Sequence, residues 1–517
     1  MTRKTSRAKF VSFAALPGVA LLCAPPSFAA TCESLSSLAL PHTTITAAES
    51  VAAGAFVAAA APGGKGKGKQ ASFADVPAFC RVAFSVKPSS DSDIKIELWM
   101  PASGWNHKFE ANGNGGWTGS ITPATLAAGV KLGYATAMTD TGHQGGSASF
   151  ALGHPEKVID FGYRSVHEMA VQGKAIIKAF YGEAPRLSYW NGCSAGGRQG
   201  LMEAQRFPDD FDGIVAGSPG LNWSGRAMHA VWIAQVVHKD EEHFIPPPKY
   251  QMVHDAVLAQ CDAVDGVKDG VLEDPTKCHF DPKSLECKGS SSEKDAADCL
   301  TAPQVETARR MYEPVKTTGG HVEFAGFERG SEMGWQTMAG PQPFGLGTDL
   351  FKYIVFKNPA WDYKTMNWDS DVARTREASK DMDAMNPDLK AFFAHNGKII
   401  QYHGWADPQI APGSSVDYYK SVLEKMGGAA KVSPNYRLFL VPGMAHCGGG
   451  DGTSSFDALA ALEQWVENQK APDQILASRV RNGQVDRTRP LCPYPQVAVY
   501  KGSGSTDDAA NFSCKMP

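Results

Sequence analysis

Leu187-Ser188-Tyr189-Trp190-Asn191 runs directly into Gly192-Cys193-Ser194-Ala195-Gly196, and Ala195 to Arg206 continues with helical spacing. A short apolar strand, a Gly-x-Ser-x-Gly turn and a helix make the elbow on which a serine hydrolase displays its nucleophile. The glycines permit a turn too tight for side chains. Ser194 is therefore the candidate nucleophile. Glycine and serine are common, however, and the same letters also describe a glycine-rich turn capping a helix. The surroundings of the elbow must decide.

Outward from it, strand and helix alternate as they do in a parallel sheet. Gly213 to Gly217 is an apolar strand, and Phe161 to Phe180 has the spacing of a helix. Gly133 to Thr139 reads as a buried strand, and Ile94, Ile96 and Leu98 alternate with Lys95, Glu97 and Trp99. From Trp223 to about Met385 the rhythm is lost among clustered cysteines, acidic turns and aromatic residues. It resumes with a helix near Pro387 to Phe393, the strand Lys398 to His403, a helix near Ser414 to Met426, the strand Tyr436 to Val441 and the helix Phe456 to Gln469. The expectation is a doubly wound, mostly parallel sheet over residues 30–222 and 386–517. An inserted lid domain at 223–385 would interrupt it.

Arg3, Lys4, Arg7 and Lys9 precede an apolar run from Phe10 to Ala24 and then Ser27-Phe28-Ala29, the pattern of a secretory signal over residues 1–29. The run is too short, and too interrupted at Pro17, for a membrane anchor. The expected location is the periplasm or the medium. The formal charge is −4, and removal of those four cations makes the chain more acidic still, a poor surface for nucleic acid. Without Cys23 ten cysteines remain, an even number that suits disulfides in an oxidising compartment. Zinc is the rival, but no Cys-x-x-Cys spacing occurs. Val51 to Gln70, Ala-rich and then Gly-Lys-rich, reads as a mobile loop.

An elbow serine needs a histidine base and a carboxylate to orient it, in the chain order serine, acid, histidine. Asp407 follows the strand Lys398 to His403, and His446 follows Tyr436 to Val441, both where ligands gather at strand ends. His143 precedes the nucleophile, His403 lies too near Asp407 to serve across a separate loop, and Asp140 is the rival acid. Cys193 flanks the nucleophile as Cys447 flanks the base, so a bridge between them would clamp the two loops. The oxyanion donors would be the Ala195 amide and one from Asn112 to Gly119, with Gly116 preferred and Gly115 next. Between Cys261 and Val271, Asp262, Asp265 and Asp269 alternate with glycine turns. That is a set of hard oxygen donors suited to calcium, or merely a solvated acidic turn.

Gly192-Cys193-Ser194-Ala195-Gly196-Gly197, His403-Gly404-Trp405-Ala406-Asp407 and Gly443-Met444-Ala445-His446-Cys447 together resemble the tannase and feruloyl esterase family, which includes terephthalate half-ester hydrolases. The resemblance implies an α/β-hydrolase core with an inserted lid, the triad Ser194, Asp407 and His446, and a disulfide between Cys193 and Cys447. It also implies structural calcium in the lid on Asp262, Asp265, Val267, Asp269 and Val271. The remaining bridges would be Cys32 with Cys80, Cys261 with Cys278, Cys287 with Cys299, and Cys492 with Cys514.

The expected activity is serine ester hydrolysis of small aromatic esters, free or attached to plant polysaccharide or tannin. Hydroxycinnamoyl esters come first, galloyl esters second and terephthalate half-esters third. The acid would lie against lid aromatics drawn from Trp335, Phe344, Phe351, Tyr353 and Phe356. A non-catalytic binding module on the same fold, or a serine peptidase, are the competing readings. The sequence is silent on oligomeric state.

Overall fold

Strands β1 (Thr43–Val51), β2 (Phe79–Val86) and β3 (Ile94–Pro101) form an antiparallel meander. In β3 Lys95 and Glu97 are the wetter positions, but Trp99, which the alternation places with them, is fully buried against Phe79 and Phe56. The computed structural model describes residues 1–2, 30–58, 72–288 and 298–517. The signal read at 1–29 and the Gly-Lys run within 51–70 fall almost wholly outside the described residues.

The meander continues, through an antiparallel pairing of β3 with β5 (Ala135–Thr139), into a parallel half. That half is built from β5, β4 (Lys108–Asn112), β6 (Leu187–Cys193), β7 (Gly213–Gly217), β10 (Lys398–Gly404) and β11 (Tyr436–Val441). The nine strands lie in the order β1-β2-β3-β5-β4-β6-β7-β10-β11. Helices cover both faces of the parallel half, and β5 and β7 are buried at every position. Helices Ser165–Tyr181, Ala195–Arg206 and Gly413–Met426 bury Met169, Leu201 and Tyr418 on one face, and Ala458–Asn468 buries Leu462 and Trp465 on the other. This is the α/β-hydrolase architecture.

No described residue between β7 and β10 joins this sheet. The short hairpin of β8 (Val315–Lys316) and β9 (Val322–Phe324) stands apart, and helices such as Trp223–Val237 and Pro248–Cys261 gather around their own apolar cluster. The excursion leaves and returns at one place. The Ala384 amide donates to the Leu221 carbonyl at 2.8 Å, and the Ser224 hydroxyl donates to Asp383 at 2.7 Å. The helix expected from Phe161 begins earlier, at Pro155–Ile159, and passes through a wide π turn, Asp160–Arg164, into Ser165–Tyr181. There Gly162 passes so close to the returning chain that a Cβ would sit 2.3 Å from the Asp381 carbonyl oxygen.

The tail forms two hairpins, β12 (Ile475–Arg481) with β13 (Gln484–Leu491) and β14 (Val497–Tyr500) with β15 (Phe512–Lys515). Five disulfides join Cys32 to Cys80, Cys193 to Cys447, Cys261 to Cys278, Cys287 to Cys299 and Cys492 to Cys514.

Candidate active site

Ser194 sits between β6 and the helix Ala195–Arg206 at φ 62° and ψ −119°, a left-handed conformation that a serine adopts only when its surroundings impose it. They do so through close approach. A Cβ on Gly192 would lie 2.6 Å from the Gly196 carbonyl carbon, and the Ser194 amide donates to the Gly217 carbonyl at 2.9 Å. The side chain is thereby raised above the carboxyl ends of the parallel strands.

β10 and β11 end in register at Gly404 and Val441, so the loops that follow them meet. A Cβ on Gly404 would lie 2.2 Å from the Met444 carbonyl oxygen, and the Ala406 amide donates to that same oxygen at 3.0 Å. Asp407 and His446 are brought together by this packing. His446 Nδ1 donates to Asp407 Oδ2 at 2.7 Å, leaving Nε2 to accept from Ser194 Oγ at 2.9 Å. Asp407 is fully buried. Burial works to raise its carboxyl, but the charge of His446 and the hydrogen bonds from His403 and His446 outweigh this and hold it well below the usual carboxylate range. The bridge from Cys193 to Cys447, with Cα atoms 6.0 Å apart, ties the serine loop to the histidine loop.

His403, set aside as a base, faces Asp407 from within β10. Its Nε2 contacts the Ile410 carbonyl at 3.0 Å, which can only accept, so Nε2 carries the hydrogen and also points it at Asp407 Oδ2, 3.2 Å away. Nδ1 accepts from the Ser415 hydroxyl at 2.7 Å. The amides of Gln409 and Ile410 hold Asp407 Oδ1 at 2.8 and 3.0 Å. His403 is thus a positioning residue, and its proximity to Asp407 in sequence was the signal. His143 is a buttress, stacked on Phe150 and bonded to the Trp117 carbonyl at 2.7 Å. Asp140 is occupied by the amides of Lys95 and Gly142.

Gly113 to Gly119 leaves β4 beside the elbow, because β4 and β6 pair in parallel up to Asn112 and Asn191. A Cβ on Gly113 would lie 2.4 Å from the Gly196 Cα, so the loop rests on the first turn of the nucleophile helix. Asn114 pins it through Gln199, Ser120 and Thr139. Gly116 has φ 52° and packs on Leu346. Ala195 heads its helix, where the first amides have no intrahelical acceptor.

The profile described as Tannase and feruloyl esterase matches residues 80–515. The chain belongs to the tannase and feruloyl esterase family. It is a carboxylic ester hydrolase of that family. It is 38% identical to an uncharacterized esterase of Xanthomonas campestris pv. campestris, over 96% of this chain and 93% of that one. It is 35% identical to a probable feruloyl esterase B-2 of Neosartorya fischeri, over 84% and 86%. The crystal structure of feruloyl esterase B from Aspergillus oryzae superposes with a TM-score of 0.86 at 32% identity, covering 94% of this chain and 99% of that one. Tannin acyl hydrolase from Aspergillus niger shares the fold, with a TM-score of 0.76 at 24% identity over 92% of each chain.

Within this esterase the aromatic residues expected to meet substrate divide. Trp335 and Phe351 are fully buried in the core of the excursion, Trp335 against Tyr312 and Tyr250 and Phe351 stacked on Trp361. Phe356 joins the same stack. Tyr353 is half-buried against that core. Phe344 is different, because it adjoins Leu346, which contacts Gly116 and accepts the Trp117 indole N–H at 2.9 Å. The Arg226 guanidinium lies 5.2 Å from the Phe344 ring centre and 5.8 Å from that of Trp223, and makes no ion pair among the described residues. Burial pulls it down to about 10, against the pull of Asp407.

The acidic loop is only partly as expected. Asp265, Val267, Asp269 and Val271 line one cavity of about 20 Å³, room for a single water or ion, together with Glu273, Arg487 and Arg489. Asp262 is not among its walls. Its carboxylate turns to the amides of Asp269 and Gly270 and shapes the loop instead. Arg489 pairs with Asp269, yet burial and the neighbouring Asp269 and Asp262 still raise Asp265. Burial pushes Glu273 up to about 8, so Asp265 and Asp269 are matched in number by Arg487 and Arg489, but carboxyl oxygens gathered around a one-atom cavity are the donors a hard cation takes.

Proposed function

We propose that this esterase is exported and cleaves hydroxycinnamoyl esters through an acyl-enzyme. The observation that carries the mechanism is the unbroken relay from Ser194 through His446 to Asp407, at 2.9 and 2.7 Å. Ser194 Oγ attacks the ester carbonyl while His446 Nε2 takes its proton, and Asp407 stabilises the resulting imidazolium. The amides of Ala195 and Gly116 receive the oxyanion. As the tetrahedral intermediate collapses, His446 returns the proton to the departing alcohol. Water, activated by the same histidine, then releases the acid and restores Ser194. The excursion at 223–385 acts as the lid, with Phe344 against the acyl ring.

Asp265, Asp269 and the carbonyls of Val267 and Val271, with Asp262 shaping the loop, would hold calcium. The ion would supply charge neutralisation and stiffness, and no part of the acyl transfer.

Arg226 favours a second reading, in which the acid carries an anionic carboxylate on the far edge of its ring, as a terephthalate half-ester does. A panel of methyl ferulate, chlorogenate, methyl gallate and a terephthalate half-ester, compared by kcat/KM with a peptide control and Ser194→Ala as blank, tests both readings. The highest value is expected on a hydroxycinnamate. A terephthalate optimum lost in Arg226→Met would select the second reading, and peptide cleavage or no turnover would overturn both.

A further inference from the structure

We propose a second metal site, specific for a first-row divalent cation such as zinc, formed by His167, Glu203 and Asp210 at the far end of the nucleophile helix. One ligand atom from each of the three lies within 4.8 Å of the other two. They come from three elements: the helix Ser165–Tyr181, the helix Ala195–Arg206 and the turn leading to β7. Glu203 is almost completely buried, no N–H or O–H donor reaches either of its carboxylate oxygens, and the group it faces is the like-charged carboxyl of Asp210.

A buried carboxylate without a donor is costly, by several kcal/mol if it is ionised and isolated, so such groups occur where something neutralises them. The nearest cation does not. Lys174 spends its ammonium on the backbone carbonyls of Asp210 and Asp209 and makes no ion pair with Glu203 among the described residues. His167 Nδ1 donates to Asp210 Oδ2 at 2.7 Å, which fixes the ring and its carboxylate neighbour in place. Phe207 stacks on the imidazole at 3.8 Å and holds its plane.

The donor set names the cation class. Calcium and magnesium take oxygen alone, whereas one imidazole nitrogen with two carboxylates suits zinc and its neighbours. The His167 side chain is 31% exposed, which leaves an edge for the ion to enter and for water to complete the coordination. Glu203 stands nine residues beyond Ser194, about 13 Å along the helix. The ion would therefore brace the helix that carries the nucleophile without touching the reacting atoms.

The test uses the full mature chain, stripped with chelator, resupplied with calcium in excess and titrated with zinc. One equivalent should bind by calorimetry and raise Tm by a few degrees. The rise should be lost in Glu203→Gln and in His167→Ala and kept in Asp265→Asn, which separates it from the acidic loop. If Glu203→Gln does not fold, His167→Ala, at a partly exposed position, carries the comparison alone. No stoichiometric uptake, or a zinc-dependent rise that survives either substitution, overturns the site.

Discussion

The triad and the acidic loop are both polar clusters set in tight turns, but they differ in how they are completed. At the triad every polar atom meets a protein partner. Ser194 meets His446, His446 meets Asp407, and Asp407 meets two amides and His403. In the acidic loop the carboxylates are bonded too, Asp262 and Asp265 to backbone amides and Asp269 to Arg489, but they crowd together around a one-atom cavity. The first cluster is preorganised by the chain itself, whereas the second is the one proposed to be finished by a cation. The two also touch. A Cβ on Gly443, in the His446 loop, would lie 3.1 Å from Val271 Cγ1, so the acidic loop supports the base from below.

Breaking the complete cluster should have the largest effect. His446→Ala or Ser194→Ala is expected to lower kcat on methyl ferulate by roughly 10⁴ to 10⁶-fold, with Tm little changed, as when members of other triads are removed. A loss of less than tenfold would dismiss the relay as the catalytic device. Cys193→Ser with Cys447→Ser is next. The bridge spans 254 residues of sequence, for which chain entropy suggests about 5 kcal/mol of stabilisation as an upper figure. It also holds two loops whose misplacement by about 1 Å costs on the order of 100-fold. Both Tm and kcat should fall, with KM less affected, and an unchanged kcat would leave the bridge a purely structural one.

Completion by calcium makes the opposite prediction. Chelation, or Asp265→Asn in the presence of calcium, should lower Tm by several degrees while kcat falls only a few-fold, through the contact between Gly443 and Val271. Equal losses in the two quantities would mean that the acidic loop is part of the catalytic arrangement and not a support beneath it. Metal analysis that finds no calcium in the purified chain would remove the ion altogether.

What could be read from the sequence follows the same division. Sheet, elbow, acid and base were legible because each depends on local features, namely apolar runs of strand length, glycines at close approaches and loops that follow strands. β1, β2, β4 and the tail hairpins carry weaker alternation. The substrate contacts were not legible, since Trp335 and Phe344 are both aromatic residues of the excursion and only their packing shows one fully buried and the other part-buried beside Leu346. Arg226 gave no signal either, because an arginine on a helix is ordinarily solvated. The nearness of His403 to Asp407 in the sequence argues against its being the base, but only the structure shows that it holds the acid.

The smallest predicted effect concerns a partner the triad region lacks. Glu110, on β4 beneath the elbow, is buried with amide partners and no cation, Asn191 at 3.3 Å among them, and burial raises it to about 7, opposed by Asn191 and Asn112. In the unfolded chain it would titrate near 4.5. Between these values the folded state binds the proton and the unfolded state does not, so stability should fall as pH rises from about 4.5 to about 7 and then level off. Glu110→Gln removes that slope and should raise stability at pH 8 by roughly 1 to 3 kcal/mol, while making little difference at pH 4. Denaturant midpoints of the two proteins across that range decide it. A parallel fall in both would show that Glu110 finds a counter-charge as complete as those of the triad, and that the region beneath the elbow is preorganised to the same depth as the site above it.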